Sequence, residues 1–201
     1  NGAADPTWTA ADIATDVDGA EDVRVGDIDF DGDLDIITAS MYDDTIALFL
    51  NDGASNPTWT KSVISTNADL AHGVDFADID GDGDLDIISA SQLDDTIAWY
   101  ENNGAANPTF TAADIATTAD HATSIDVVDI DFDGDLDIIS SSENDDTITW
   151  YENNGAADPT WTAVASSFAI AHPSKSNAAD GAWGVHSGDL DGDGDIDVVS
   201  A

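Results

Sequence analysis

Hydrophobic and polar residues alternate in short stretches that recur along the chain, which indicates β-strands with one buried face. In the first strand of each copy, the apolar positions are Val23 and Val25, Val74 and Phe76, Ile125 and Val127, and Val185. A second strand, "LDIITAS" or "LDIISAS", contains adjacent isoleucines, as expected for a strand buried on both faces. The third, "DDTIALFL" or "DDTIAWYE", is β-branched and aromatic, and a turn such as "NNGAANP" leads to a fourth, "PTWTKSVI". No stretch has the period and the caps of a helix.

The strand pattern repeats with a fixed period. The prolines that open the fourth strand are 51 residues apart, at Pro6, Pro57, Pro108 and Pro159. Acidic loops begin at positions 27, 78, 129 and 189, so the last interval is 60 residues and nine extra residues lie within about 166–183. The chain is therefore one domain of four repeats, approximately 1–51, 52–102, 103–153 and 154–201.

Four strands in about 50 residues are typical of one blade of a β-propeller. A β-sandwich is the alternative, but a sandwich does not impose a period of 51 residues. We therefore predict an all-β fold, a β-propeller built from four four-stranded blades. This propeller is expected either to be part of a larger ring or to be completed by another chain.

The charge of the chain excludes several classes of partner. Its 43 acidic residues face three basic ones, and the net charge of -40 argues against binding to nucleic acid or to an anionic membrane. A hydrophobic content of 42% with six tryptophans indicates a folded protein rather than a disordered one. The chain has no cysteine, which excludes disulfides and thiolate metal sites, and no apolar run long enough for membrane insertion. Because it begins at Asn1 without methionine, we expect a mature or excised piece.

The acidic loops have the pattern of a metal site. In "DIDFDGDLD", which begins at Asp27, aspartates occupy positions one, three, five, seven and nine, and glycine occupies position six. Close carboxylates raise each other's pKa, so such a cluster is costly without a cation. Carboxylates at one, three and five before a glycine match the start of an EF-hand calcium loop. Position twelve, where an EF-hand has glutamate, is here Thr38 or a serine, so we expect position nine to close the site.

Position seven is expected to bind through its backbone carbonyl and to leave its side chain in solvent. Magnesium, which keeps several waters, and zinc, which prefers histidine or cysteine, fit the loops less well than calcium. A solvated acidic turn without metal is the alternative, which the fourfold recurrence disfavours. The residues predicted to bind metal are Asp27, Asp29, Asp31, Asp33, Asp35, Asp78, Asp80, Asp82, Asp84, Asp86, Asp129, Asp131, Asp133, Asp135, Asp137, Asp189, Asp191, Asp193, Asp195 and Asp197.

The pattern D-x-D-x-D-G-x-x-D between two strands, once per repeat, resembles the FG-GAP/VCBS repeat family. It is also similar to the calcium loops of the propeller in integrin α-subunits. The resemblance covers the whole chain and implies a β-propeller with one calcium per loop, about four Ca2+ in total. It also implies a secreted or cell-surface protein that serves adhesion, glycan binding or scaffolding. By position, it implies that the aspartates at one, three, five and nine are the ligands.

No enzyme motif accompanies these loops. The four histidines, at 72, 121, 172 and 186, do not align across the repeats, and no nucleophile elbow is present. His186 aligns with Arg24, Asp75 and Asp126, and could face the central channel. We therefore expect a protein that is not an enzyme, with no catalytic residues.

Two further patterns recur outside the loops. Paired aspartates at 43–44, 94–95 and 145–146 open the third strand; they are expected to cap a turn and face water, or else to complete a metal shell or bind a cationic partner. Aromatic residues at 8, 59, 110 and 161 are expected to pack between blades rather than to stack on sugars. Trp183, His172 and Lys175 belong to the irregular insertion, which is where ligand recognition would be sought first.

The expected function is that of a calcium-stabilised extracellular module with a structural or adhesive role. The alternatives are a calcium-dependent glycan-binding module, such as one attached to a polysaccharide-degrading enzyme, and a subunit of a self-assembling extracellular filament. When the end of the last copy is aligned with the start of the first, 12 residues equivalent to Ser91–Asn102, which contain a third strand, are missing between them. An open edge of this kind pairs readily with another chain. The expected partners are therefore other protein chains or extracellular glycans.

Overall fold

The computed structural model describes residues 10–164 and 181–201, and this part of the chain is built from β-strands and connecting loops. Pro6, Trp8, His172, Lys175 and most of the predicted insertion lie outside the described residues. The strands are β1 (Ala20–Gly26), β2 (Asp35–Ser40), β3 (Thr45–Asn51), β4 (Trp59–Ser65), β5 (Ala71–Ala77), β6 (Asp86–Ser91), β7 (Thr96–Asn102), β8 (Phe110–Ala116), β9 (Ala122–Val128), β10 (Asp137–Ser142), β11 (Thr147–Asn153), β12 (Trp161–Val164), β13 (Val185–Gly188) and β14 (Asp197–Ser200).

The strands form successive antiparallel meanders. β1 to β4 make the first sheet, β5 to β8 the second and β9 to β12 the third, each with its strands in chain order, while β13 pairs with β14. The all-β fold and its repeating four-stranded sheets are confirmed, and these sheets are consistent with propeller blades. The described residues show no sheet that closes on itself. Each sheet takes its last strand from the start of the next sequence repeat, so the sheets are offset from the repeat boundaries.

The hydrophobic core lies between successive sheets rather than within one. Each sheet directs a second-strand isoleucine (Ile37, Ile88 or Ile139) toward the following sheet and a first-strand residue such as Val74 or Ile125 toward the preceding one. These side chains are 0–1% exposed, so every blade interface buries apolar side chains from both neighbours. Phe110 and Trp161 are half-buried against these cores, in agreement with a packing role.

The paired aspartates connect neighbouring sheets. The second aspartate of each pair, at 44, 95 or 146, has a φ of 55° or 56°, a left-handed conformation that aspartate tolerates better than most residues. Its carboxylate accepts the backbone N–H of a residue just before the next sheet: Leu70 (3.0 Å), His121 (3.0 Å) or Gly181 (2.8 Å). The cap is therefore an inter-sheet connection, which the sequence pattern did not indicate.

Candidate metal centre

The acidic loops join the first strand of each sheet to the second and share one backbone shape. The glycine at position six has a φ between 98° and 101° in all four loops, a conformation that strongly favours glycine. Position four is also left-handed, and there two loops have Gly81 and Gly192 whereas the other two have Phe30 and Phe132. The predicted sharp turn at position six is confirmed, and a second turn residue precedes it.

Backbone N–H groups hold the alternating carboxylates in place. The carboxylate at position one accepts the N–H of the glycine at position six, at 3.1 Å for Asp27 and Gly32 and at 3.1–3.2 Å in the other loops. The carboxylates at positions three and five accept the N–H two residues further on, as in Asx turns. These local hydrogen bonds fold the backbone around the side chains at positions one, three and five, so that the alternate carboxylates point toward one centre.

The carboxylate at position nine is buried beneath the loop in the first three units. Asp86 is 1% exposed; one of its oxygens accepts the N–H of Ile79 at position two (3.3 Å) and the other accepts the N–H of Asn102 in the third strand (2.8 Å). Asp35 and Asp137 make the equivalent bonds in their own sheets. Position nine therefore ties the loop to the third strand. In the fourth unit, Asp197 accepts the N–H of Leu190 (2.9 Å).

Each loop brings three carboxylates to one point. One oxygen from each member of a set lies within 4.8 Å of the others, and positions one and three belong to every set. Position nine completes the set in the first and fourth loops, and position five completes it in the second and third. The sets are Asp27, Asp29 and Asp35; Asp78, Asp80 and Asp82; Asp129, Asp131 and Asp133; and Asp189, Asp191 and Asp197.

Position seven differs from the sequence expectation. The side chains of Asp33, Asp84 and Asp135 are half-buried instead of standing in solvent. Each packs against the glycine of the turn after the third strand, where an added Cβ would collide with the carboxylate. Only Asp195 is exposed, because the described part of the fourth unit has no third strand to bring such a turn over the loop.

The electrostatics of the loops favour a bound cation. Burial raises the pKa of Asp86 to about 6 and also raises the pKa of Asp35 and Asp137. Burial raises the pKa of Asp29 as well, and the charges of neighbouring aspartates add to this effect. A divalent cation would offset this cost by stabilising the ionised forms.

The donor set fits a hard cation. Every ligand atom in the four sets is a carboxylate oxygen, the type that calcium and magnesium prefer. Two of these residues also have an unused atom, since Oδ1 of Asp27 and Oδ1 of Asp78 are buried and accept no hydrogen bond. A buried carboxylate oxygen without a partner is costly, and coordination of a cation would supply the missing partner.

The structure adds a set of asparagines that sequence reasoning missed. Asn102 donates its backbone N–H to Asp86, and its side-chain amide donates to the carbonyl of Leu85 (2.9 Å). Its side-chain oxygen accepts the N–H of Gly104 (3.1 Å), so one residue joins the acidic loop to the turn that covers it. The available signal was the recurrence of asparagine two residues before glycine, which occurs with Asn51, Asn102 and Asn153.

Comparison with protein families gives an independent result. The family model described as FG-GAP-like repeat matches residues 27–89, 78–140 and 129–200, and each match begins at an acidic loop and continues through the next one. Comparison with curated proteins finds no match. Because the three matches together cover nearly the whole chain, the resemblance noted from the loops is confirmed, and the chain belongs to the FG-GAP-like repeat family.

Proposed function

We propose that this protein is a calcium-binding structural module whose blades are stabilised by calcium in the four acidic loops. The single observation that carries the proposal is that three carboxylates converge in each of the four loops, always from positions one and three and from either position five or position nine. Bound calcium would neutralise the clustered charge and join the two ends of each loop. The residues that would hold it are the aspartates at positions one, three, five and nine of each loop, with the carbonyl at position seven.

Calcium suits these loops better than magnesium does. Calcium takes six to eight oxygen ligands in flexible geometry, whereas magnesium demands octahedral geometry and retains water. A loop with four available carboxylates and a backbone carbonyl supplies most of a calcium shell from protein alone. Positions one and three belong to every set, and either position five or position nine completes it. An ion with six to eight ligands could bind the carboxylates of both positions at once.

Thermal unfolding with and without calcium tests the proposal. Calcium that binds the folded form alone should stabilise it by about 2.7 kcal/mol per site at one hundred times the dissociation constant. The melting temperature should therefore fall sharply in excess chelator and be restored by calcium, with only partial recovery in sodium chloride or magnesium. A melting curve that is unchanged by chelator would contradict the proposal.

We further propose an extracellular location and no enzymatic activity. The location is proposed from the resemblance of the loops to those of secreted and cell-surface propellers. Calcium sites of extracellular modules bind in the range of about 10⁻⁴–10⁻³ M, and a dissociation constant in this range would support the proposal. Among the described residues, no helix is long and apolar enough to cross a membrane. Immunoblotting of culture medium, intact cells and lysate tests the location. Polysaccharide turnover that disappears in the His186→Ala variant would contradict a purely structural role.

Self-association is a second candidate function, favoured by the two end faces of the blade array. Val23 is 54% exposed, although its counterparts Val74 and Val185 are each 0% exposed because a preceding sheet covers them. Val199 is 48% exposed, although its counterpart Ile37 is 0% exposed beneath a following sheet. The first face would accept a preceding blade and the last a following one, so two copies could pack head to tail.

Light scattering of the calcium-loaded chain tests this association. A mass that rises above 20.8 kDa with concentration, and returns to it in the Val23→Lys variant, is the expected result. Thr60→Lys, at an exposed position of β4, is the matched control and should leave the association unchanged. A monomer at every concentration would contradict the proposal.

A further inference from the structure

The first strands of all four units line a single cavity away from the acidic loops. The cavity has a volume of about 340 Å³, and its wall includes Glu21 and Asp22 of β1, Asp75 of β5, Asp126 of β9, and Trp183 just before β13. This volume lies in the range of small-molecule sites, about 300–1,000 Å³. Residues far apart in the sequence meet here because each blade contributes its first strand to the same centre.

The cavity has an excess of negative charge. Four carboxylates line it, and the one lining residue with a permanent positive charge, Arg24, is bonded to Asp22 at 2.5 Å and lies 3.5 Å from Asp75. One carboxylate oxygen of Asp126 accepts the backbone N–H of Ser187 (2.6 Å), and this bond connects the third sheet to the fourth. Glu21 is exposed and forms no ion pair with the described residues. Four carboxylates against one guanidinium leave the wall with an excess of negative charge. Some of these carboxylates also have local partners, since Asp22 and Asp75 accept the backbone N–H groups of Val74 and Phe76, and His186 Nδ1 lies 3.8 Å from Asp126.

An aromatic wall stands beside the carboxylates. The Trp183 side chain is 51% exposed, and its ring centroid lies 5.3 Å from that of His72 at an interplanar angle of 60°. The His72 ring is fixed by a bond of 2.6 Å between Nδ1 and the carbonyl oxygen of Thr123. The Trp183 backbone is fixed by its N–H, which donates to the carbonyl of Ala201 (2.8 Å). A positioned indole face next to carboxylates favours a cation, through cation–π attraction and ion pairing together.

We propose that this cavity binds a small organic cation through a primary ammonium group. An ammonium group has three donors and no acceptor, which complements a wall rich in carboxylate acceptors. An anionic ligand would meet four like charges here and is disfavoured. A neutral saccharide would use the indole face but would leave the excess negative charge unpaired. The site is separate from the calcium loops, so the inference does not depend on calcium binding.

Calorimetric titration of the full chain with cadaverine, in calcium-containing buffer at low salt, tests the inference. We expect one bound cadaverine per chain, with affinity that falls as sodium chloride is added. Glu21→Gln and Asp75→Asn should each weaken binding by about tenfold, and Trp183→Ala should weaken it by a similar factor. Asp12→Asn removes the same charge at an exposed site outside the cavity and should change the affinity less than twofold.

Two further arms distinguish the source of the ammonium group. A lysine-containing peptide that binds as cadaverine does would identify a protein side chain as a ligand, and acetylation of that lysine should abolish binding. Peptide binding that is much weaker than cadaverine binding would identify free amines as the ligand. A neutral oligosaccharide that binds in place of cadaverine would overturn the inference. So would cadaverine binding that is equal in the wild type and in all three cavity variants, because the cation would then be held elsewhere.

Discussion

Replacing Asp95 by alanine tests whether the turns before the third strands hold neighbouring sheets together. The Asp95 carboxylate accepts the N–H of His121 at 3.0 Å, and its backbone carbonyl accepts the N–H of Ala119 at 2.9 Å. The residue also has a φ of 56°. The substitution removes the first bond and places alanine in a left-handed conformation, so both effects weaken the junction between the second and third sheets.

The expected loss of stability follows from these two effects. A partly buried N–H group that loses its acceptor costs about 1–3 kcal/mol. Alanine in the left-handed region costs about 1–2 kcal/mol, a cost that aspartate partly avoids through local hydrogen bonding. We therefore expect Asp95→Ala to lower the free energy of unfolding by about 2–4 kcal/mol. Urea denaturation at saturating calcium, followed by tryptophan fluorescence, measures this difference.

Two control variants isolate the cause. Asp95→Asn keeps an acceptor oxygen and tolerates the left-handed conformation, so it should cost less than about 1 kcal/mol. Asp94→Ala removes the neighbouring carboxylate, whose Oδ1 has no hydrogen-bond partner, and should be nearly neutral. If Asp95→Ala is no more destabilising than these two variants, the carboxylate does not hold the sheets together and the reasoning is wrong.

Three smaller predictions concern the loops and the cavity. Phe30→Gly should raise the unfolding free energy by about 1 kcal/mol in urea denaturation, because Phe30 has a φ of 56°. Gly104→Ala should lower it by more than about 1 kcal/mol and weaken calcium binding in titration calorimetry, since the new methyl group collides with Asp84. Burial raises the pKa of Asp75 above its value in the unfolded chain, so this residue contributes stability at low pH that is lost as pH rises. Asp75→Asn should therefore reduce the fall in melting temperature with rising pH, measured in melts across the acidic range.

The sequence predicted the strands and the loops because both follow from local pattern. The alternation in the first strands and the adjacent isoleucines in "LDII" predicted buried positions, and the 51-residue period repeats both patterns along the chain. The alternation is confirmed where a preceding sheet covers the strand, as at Val74 and Ile125, whereas Val23 and Val25 of "DVRVG" are 54% and 53% exposed. The glycine at position six was predictable for the same reason, since a turn between charged positions needs a left-handed residue that glycine supplies.

Contacts between repeats were not predictable in the same way. Asp44 and Leu70 are 26 positions apart, and nothing in either residue type specifies that one caps the other. The side chain of Asp84 was expected in solvent because the turn that covers it, at Gly104, lies 20 positions away in the sequence. The repeat alignment made His186 the equivalent of Arg24, Asp75 and Asp126, but only the arrangement of the sheets shows that these residues line one cavity together with Trp183.

Direct measurement of bound calcium tests the central claim. Equilibrium dialysis of the full chain, followed by elemental analysis, should give four calcium ions per chain at saturation. Asp29→Ala should give three, because it removes a carboxylate from one set and leaves the other three loops intact. A wild-type chain that binds no calcium at millimolar free concentration would contradict the account, and so would a ratio that does not change in the Asp29→Ala variant.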